Sequence, residues 1–419
     1  MIEVRDICVG EGTPKICVSI TGENRETIIN EAEGIILKKP DIVEWRFDCS
    51  REYDYSIVED ILMNLRAVLR ETPIIFTFRT MKEGGMRNIS SEAYRMLYET
   101  VASTGLVDFI DVEGISNGEI APAIIKDIKD NGVKVITSYH DFDKTPDKDE
   151  LREIINTLES KGGDIVKIAV MPNSFEDVIN LIEVTKEYKE KNKHIISMSM
   201  GELGMVSRVC GGVDGSCVTF ASVVKASAPG QVPIKTLREY FEYLEKFDNT
   251  KNIFLIGFMG TGKTTISNML GVLTGMDVFD MDEEIVKKAG MSINEIFDKF
   301  GEDHFRDIES EIVEELSNKK GVIISCGGGA VLRSKNVDCM KENGNIFLLR
   351  ATPETVYERV KDSTERPILN ADMSIDHISM LMNKRRDIYE ACANVKIDTD
   401  DLNAFAVAMK IIEKNSWKI

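Results

Sequence analysis

Residues 165–198 read IVKIAVMPNSFEDVINLIEVTKEYKEKNKHIISM. Two short β-rich runs, Ile165–Ala169 and His194–Met198, flank Phe175–Asn192, a segment with helical periodicity. The same alternation extends upstream through the strand candidates Ile16–Ile20, Ile42–Phe47, Ile74–Phe78, Phe109–Val112 and Val133–Ser138. Helical patterns at Arg25–Leu37, Ile57–Arg70, Glu92–Ser103, Glu119–Asn131 and Asp149–Lys161 separate them, and Ser216–Thr219 supplies an eighth strand downstream. Alternation of this kind implies a parallel sheet. Eight repeats between Lys15 and Leu244 fit an N-terminal (β/α)8 TIM barrel, whose usual length is about 250 residues. A doubly wound open sheet is the alternative.

The helix expected at Ile234–Phe247 gives way to the polar turn Asp248-Asn249-Thr250, and a new apolar strand, Asn252–Ile256, follows at once. The expected domains are therefore 1–248, the barrel, and 251–419, a compact α/β unit. Asn252–Ile256 runs into Gly257-Phe-Met-Gly260-Thr261-Gly262-Lys263-Thr264-Thr265, and a helical pattern continues to Leu273. This is the strand–loop–helix setting of a Walker A loop, and it predicts a P-loop, NMP-kinase-like domain with a parallel sheet. Glycines let backbone N–H groups turn around phosphate, and the helix N-terminus adds a favourable dipole. Lys263 can reach the β- and γ-phosphates, and the Thr264 hydroxyl can ligate Mg²⁺.

Composition limits the partners. The 419 residues carry a formal charge of −19, which argues against a nucleic-acid binder. If the substrates are anionic, arginines and lysines must be concentrated at the sites against that field. The eight cysteines are scattered with no C-x-x-C pair, as expected of reduced thiols in a cytoplasmic protein. Met1–Gly10 lacks a basic n-region and a long apolar h-region, and no apolar run approaches the ~20 residues that span a bilayer, so a soluble protein is expected.

In a barrel the carboxyl ends of the strands converge on one mouth. Those ends carry Ser19, Glu44, Arg46, Arg79, Asp111, Glu113, His140, Asp141, Lys167, Met198 and Met200, followed by a loop with Ser227 and Gln231. Lys167 lies inside an apolar strand. Burial disfavours an ammonium and frees an amine to attack a ketone. The plainer reading is a lysine paired with Glu44 or Asp111. His140, just past its strand, can act as base and then acid near neutral pH, although a lone histidine is more often structural.

Val43-Glu44-Trp-Arg46-Phe-Asp48, Phe78-Arg79-Thr-Met-Lys-Glu83-Gly-Gly85, Ser138-Tyr-His140-Asp-Phe142, Val166-Lys167-Ile-Ala169, Met198–Arg208 and Lys225-Ala-Ser227-Ala-Pro-Gly-Gln231 together resemble type I 3-dehydroquinate dehydratase. The resemblance runs in order across the first half. It implies a cofactor-free Schiff-base mechanism, with Lys167 forming an imine, His140 moving protons and Glu83 orienting His140. It further implies that Arg208 clamps the substrate carboxylate and that Ser19, Glu44, Arg46, Arg79, Ser227 and Gln231 bind 3-dehydroquinate. Met198, Met200 and Phe220 would form an apolar wall. A Schiff-base aldolase also needs a strand lysine, but does not account for Arg208 and Ala226–Gln231.

In the second half, Val278-Phe-Asp280-Met-Asp282 ends a short strand, and two acids at i and i+2 of a strand face the same way. An ordinary acidic turn is the plainer reading. Arg306, Arg359, Arg366 and Arg385 would each pass singly for a solvated helix charge. Gly327-Gly328-Gly329 after the strand Val322–Ile324 suggests close backbone approach to a ligand. Together these features resemble shikimate kinase from Lys251 to the C-terminal region. The resemblance implies ATP with Mg²⁺ held near Thr264 and Asp280, and nucleotide contacts from Gly257, Gly260, Thr261, Gly262, Lys263, Thr264, Thr265, Arg359 and Arg366. It places shikimate on Asp282, Arg306, the Gly327–Gly329 backbone and Arg385, with Glu309 orienting Arg306. Asp282 would assist deprotonation, and Arg366 would belong to a lid at about Lys361–Asp372 that closes over ATP. Ser292-Ile-Asn-Glu295 reads as a capping box. Cys326 stands where a Thr or Leu is common in the family, which puts oxidant sensitivity in question. Gluconate kinases share the loop but not the Asp282, Arg306, Gly327–Gly329 and Arg385 set.

The two implied reactions belong to the shikimate pathway of aromatic amino acid biosynthesis, but they are not consecutive. A reduction lies between them, and the chain has no G-x-G-x-x-G strand–turn–helix unit. A separate shikimate dehydrogenase is the expected partner, and a homodimer through the barrel is an open expectation. The competing reading keeps one half active and makes the other a regulatory or scaffold module.

Overall fold

The computed structural model describes residues 1–51, 55–210, 215–223, 228–361 and 374–416. The chain divides into two compact units, Met1–Phe241 and Glu242–Ile419, with the division inside the helix Ile234–Glu245 and a few residues ahead of the polar turn at Asp248.

The first unit opens with an antiparallel hairpin of β1 (Ile2–Val4) and β2 (Ile7–Val9). Eight parallel strands follow: β3 (Lys15–Ile20), β4 (Ile42–Arg46), β5 (Ile74–Thr77), β6 (Phe109–Glu113), β7 (Lys134–Asp141), β8 (Ile165–Val170), β9 (Ile195–Ser199) and β10 (Val218–Ser222). β3 to β9 pair in sequence order, and β10 returns to pair with β3. A bridge between Ile195 and Ser216 closes the ring, with the Cys217 N–H donating to the Ile195 carbonyl at 2.8 Å. The short β11 (Val232–Pro233) adds to β10. Helices Arg25–Ile36, Tyr55–Leu69, Ser91–Ser103, Ala121–Asp130, Lys148–Ser160 and Phe175–Glu190 connect successive strands, each within a few residues of its expected span.

Strand register explains how one barrel holds both a dry floor and a polar site. Cys17 lies beside Ile42, Ile75 beside Phe109, and Ile136 beside Ile165. These residues share a buried cluster with Ile2, Val4 and Val9, so the hairpin plugs the amino-terminal end. Two residues further along each strand, on the same face, Ser19 sits beside Glu44, Thr77 beside Asp111, and Ser138 beside Lys167. The period-two alternation thus stacks a polar layer directly on an apolar one. β7 runs three residues past its expected end, so His140 stands on the strand itself, paired in register with Ala169.

The second unit is a five-stranded parallel sheet of β12 (Asn252–Ile256), β13 (Asp277–Asp280), β14 (Val322–Ser325), β15 (Gly344–Arg350) and β16 (Val395–Asp398). Its order is β13-β14-β12-β15-β16, which puts the Walker strand at the centre. The long helix Ile293–Ser317 starts with the expected Ser292–Glu295 capping box and kinks at Gly301, whose φ is 80°. No described helix is long and apolar enough to cross a membrane.

Candidate active sites

One cavity in the barrel mouth is lined by Ser19, Glu44, Arg46, Arg79, Glu83, His140, Lys167, Arg208 and Gln231, with Met198, Met200 and Phe220 as apolar wall. Every expected dehydratase residue in the described chain is therefore at one place. Ser227 lies outside the described residues. Lys167 is 4% exposed, with its Nζ 2.9 Å from Asp111 Oδ2, 3.7 Å from Glu44 Oε1 and 4.7 Å from the Phe220 ring centroid. The paired lysine and the cavity lysine are thus the same arrangement. Ser19 Oγ and Thr77 Oγ1 donate to Glu44 at 2.7 and 2.9 Å and fix that carboxylate.

Glu83 closes a short 3-10 turn after β5, and its Oε2 lies 3.0 Å from His140 Nδ1 while Oε1 accepts from Ser116 Oγ at 2.7 Å. The turn ends on Gly84 at φ 78°, where a Cβ would meet the Phe142 ring at 2.2 Å, so glycine is required there. Burial, with the Arg79 and Lys167 cations, holds the His140 pKa well below 6.5. Burial also pushes Glu83 up to about 8, against the pull of Arg79 and with help from Glu113. Both shifts disfavour charge, so the pair rests as neutral imidazole and carboxylic acid rather than as an ion pair.

The three arginines differ in partners. Arg46 forms a two-point pair with Asp48, both contacts at 2.8 Å. Arg79 is 3% exposed and sits among Asp111, Glu113, Glu83 and Ser138. Arg208, on the short helix Met205–Val209, is 2% exposed and has no carboxylate partner among the described residues. Its Nη2 donates to the Pro229 carbonyl at 2.9 Å, its Nη1 lies 3.9 Å from Met198 Sδ, and its Nε has no partner among the described residues. Burial alone pushes its pKa down to about 10. A desolvated cation without a counter-ion is what an anionic ligand would complete.

Asp141 accepts the N–H groups of Asp143 and Lys144 in the following turn and is absent from the cavity wall. Asp48 and Ser138 were not expected as site-builders, yet Asp48 fixes Arg46 and the Arg79 backbone, and Ser138 joins Arg79 to Asp111. A small polar residue two before His140, on the inward face of its strand, is the signal for Ser138.

In the second unit the Walker loop has its expected geometry. Gly260 and Gly262 adopt φ of 79° and 93°, and the helix Lys263–Thr274 begins directly after them. Lys263 Nζ donates to the Gly257 and Phe258 carbonyls at 2.9 and 3.1 Å, folding over the loop, and Thr261 Oγ1 braces the Phe258 carbonyl at 2.8 Å. Thr264 and Thr265 are exposed in the first turn, and Thr264 Oγ1 lies 3.1 Å from Asp280 Oδ2. A hydroxyl beside a carboxylate is an oxygen donor set suited to a hard divalent cation. Arg359 reaches the Gly260 carbonyl at 3.5 Å and Thr399 O at 2.8 Å, which places it beside the loop. Arg366 and residues 362–372 of the expected lid lie outside the described residues.

Asp280 and Asp282 do not share a strand face. Asp280 ends β13 and caps the helix Met281–Ala289, accepting the Asp282 N–H at 3.0 Å, so Asp282 lies in a helical first turn. It still reaches the expected place. A Cβ on Gly327 would lie 3.0 Å from Asp282 Oδ1, and one on Gly329 would lie 2.0 Å from Arg306 Nη1. Arg385 Nη1 donates to the Gly328 carbonyl at 3.3 Å, and Arg306 is held by Glu309 at 2.8 Å. The triple glycine thus brings Asp282, Arg306 and Arg385 together. Tyr389, not singled out from sequence, pins the same Gly328 carbonyl at 2.6 Å. All eight cysteines are free, and burial drives the Cys326 thiol pKa strongly upward, which disfavours its thiolate form.

The model of the type I 3-dehydroquinase family matches residues 16–248 of this chain. The chain belongs to that family. Beyond its 3-dehydroquinase half, the shikimate kinase family model matches residues 259–416, so a shikimate kinase domain follows in tandem. A curated 3-dehydroquinate dehydratase of Listeria monocytogenes is 44% identical over 247 residues, 58% of this chain and 98% of the relative. The crystal structure of a type I 3-dehydroquinate dehydratase from Clostridium difficile with covalent modified comenic acid is 40% identical at a TM-score of 0.57, covering 58% of this chain and 98% of that one. A shikimate kinase from Acinetobacter baumannii in complex with shikimate is 33% identical over 39% of this chain and 92% of its own, at a TM-score of 0.38.

Proposed function

We propose that this chain is a bifunctional enzyme whose barrel, residues 1–248, dehydrates 3-dehydroquinate to 3-dehydroshikimate, and whose second half, residues 251–419, phosphorylates the 3-hydroxyl of shikimate with ATP. The observation that carries the first assignment is one cavity holding Lys167, the Glu83–His140 pair and the buried cation Arg208, which has no carboxylate partner among the described residues. The Lys167 amine adds to the ring ketone and water leaves, forming an imine. Arg208 fixes the substrate carboxylate, while Ser19, Glu44, Arg46 and Gln231 hold hydroxyls. Once the pair has lost its proton, the Glu83 carboxylate accepts Nδ1–H and leaves Nε2 of His140 as the base. Nε2 removes the proton beside the imine carbon, whose electrons pass into the iminium. The resulting enamine expels the hydroxyl, protonated by the same Nε2, as water. Hydrolysis of the product imine frees Lys167.

In the second half, the P-loop glycines and Lys263 would bind the phosphates, with Thr264 and Asp280 near Mg²⁺, which would neutralise charge on the phosphates. Arg306, Arg385 and the Gly327–Gly329 backbone would fix shikimate, and Asp282 would accept the proton of its attacking hydroxyl. Arg359 and Arg366 would contact the nucleotide. The dehydratase half needs no cofactor on this reading. A reduction lies between the two steps, so a shikimate dehydrogenase in the cytoplasm would act between them. Borohydride should trap 3-dehydroquinate on Lys167. Dehydration by Lys167→Ala at the wild-type rate would overturn the assignment.

A further inference from the structure

We propose that Tyr389 and Asn336 are positioning residues that turn the carbonyls of the triple-glycine loop away from the kinase site, leaving that loop an all-donor surface for the acceptor substrate; this rests on the shikimate phosphorylation reading above. Each carbonyl of residues 327–330 is already taken within the chain. Gly327 O accepts the Ala330 N–H at 3.1 Å, and Gly329 O accepts the Leu332 N–H at 2.9 Å, closing the 3-10 turn Ala330–Leu332. Ala330 O accepts from Nδ2 of the buried Asn336 at 2.9 Å. Gly328 O accepts the Tyr389 hydroxyl at 2.6 Å and Arg385 Nη1 at 3.3 Å. The N–H groups of Gly327, Gly328 and Gly329 make no hydrogen bond among the described residues. A loop whose acceptors are spent and whose donors are open favours an anion or an electron-rich oxygen.

A trans peptide points its C=O and its N–H in opposite directions. Tying Gly328 O to the helix Ile375–Cys392 therefore fixes the Gly329 N–H facing the other way. No Cβ stands on either side of that peptide, so rotation of its plane meets little steric resistance, and a flip would present an oxygen where a donor is needed. Tyr389 supplies the restraint. It follows Arg385 by one helical turn, so both reach the same carbonyl from one face of the helix. Their roles differ. Tyr389 is 5% exposed, and its ring belongs to the buried cluster that includes Met281, Ile285 and Ile346. Burial raises its pKa against the pull of Arg385, so the hydroxyl keeps its proton and donates. Arg385 is only partly buried and meets the carbonyl at the longer distance. Its guanidinium can turn to a substrate anion while Tyr389 keeps the peptide in place.

The test uses the full-length chain carrying Tyr389→Phe, which keeps the ring and removes only the hydroxyl. Thermal melting checks folding, and dehydration of 3-dehydroquinate is the internal standard. The KM for shikimate rises about tenfold with kcat changed less than about threefold, and ATP affinity measured by calorimetric titration stays within about twofold. An unchanged KM for shikimate, or a fall in kcat larger than the rise in KM, overturns the proposal. Equal weakening of ATP and shikimate overturns it too, because that marks general loosening of the domain. If Tyr389→Phe does not fold, Asn336→Leu decides by the same split, since it frees the Ala330 carbonyl of the same loop. Unchanged KM for shikimate in that variant then overturns it. Failure of the kinase reading itself is separate, since the wild-type chain would then not phosphorylate shikimate at all.

Discussion

Replacing Arg208 with Met removes the buried guanidinium while keeping an unbranched apolar stem, and it separates stability from function in opposite directions. Burial pushes the Arg208 pKa down to about 10, more than two pH units below an ordinary guanidinium. At ~1.4 kcal/mol per unit, holding the charge costs about 3 kcal/mol in the ligand-free barrel. A folded-state pKa below the unfolded value means that this cost is fully present below about pH 10, hence throughout the neutral range. The variant also loses the bond to the Pro229 carbonyl, worth about 1 kcal/mol. The net expectation is a gain of about 2 kcal/mol, which for a domain of this size raises the barrel transition by about 4–8 °C. Function moves the other way. Losing a charge-assisted contact to the substrate carboxylate costs about 3 kcal/mol, on the order of 100-fold in kcat/KM for dehydration. Calorimetry of the ligand-free chain and steady-state dehydration assays measure the two effects. A melting temperature that falls while kcat/KM is retained would refute the assignment of Arg208 as a buried clamp lacking a carboxylate partner.

The pH dependence of dehydration should follow the Glu83–His140 pair. With Glu83 raised to about 8, the base form appears on proton loss, so kcat/KM should rise along a limb centred above pH 6.5. In Glu83→Gln only His140 titrates, and its lowered pKa should move the limb below 6.5; an unmoved limb contradicts the coupling. In the kinase half, Gly329→Ala places a Cβ 2.0 Å from Arg306 Nη1, which Glu309 and Glu302 hold in place. The KM for shikimate should rise at least about tenfold while nucleotide affinity, measured by calorimetric titration, stays unchanged. Iodoacetamide should leave shikimate phosphorylation intact in the folded chain, because Cys326 is buried as a protonated thiol; rapid inactivation lost in Cys326→Ser would contradict this.

Most of the barrel was legible because strand and helix periods differ and recur eight times, and because strand ends converge in such a fold. Lys167 and His140 could be placed at one mouth from strand order alone, whereas Arg208 came only through the family resemblance. What sequence did not convey was partnership. Arg46, Arg79 and Arg208 are the same residue type, and only the folded register shows that Arg46 is paired with Asp48, Arg79 sits among Asp111, Glu113 and Glu83, and Arg208 has no carboxylate partner among the described residues. The Asp280–Asp282 geometry was misread because Asp280, capping the next helix, ends the strand two residues short of Asp282. The β1–β2 hairpin and the helix Met205–Val209 escaped notice because three to five residues are too few to show a period.

The proposal of two active sites on one chain makes a direct demand on a single preparation. The purified chain should both dehydrate 3-dehydroquinate and phosphorylate shikimate with ATP, with Lys167→Ala abolishing only the first activity and Lys263→Ala only the second. A wild-type chain lacking either activity, or a single substitution that abolishes both while the chain stays folded, would contradict the account.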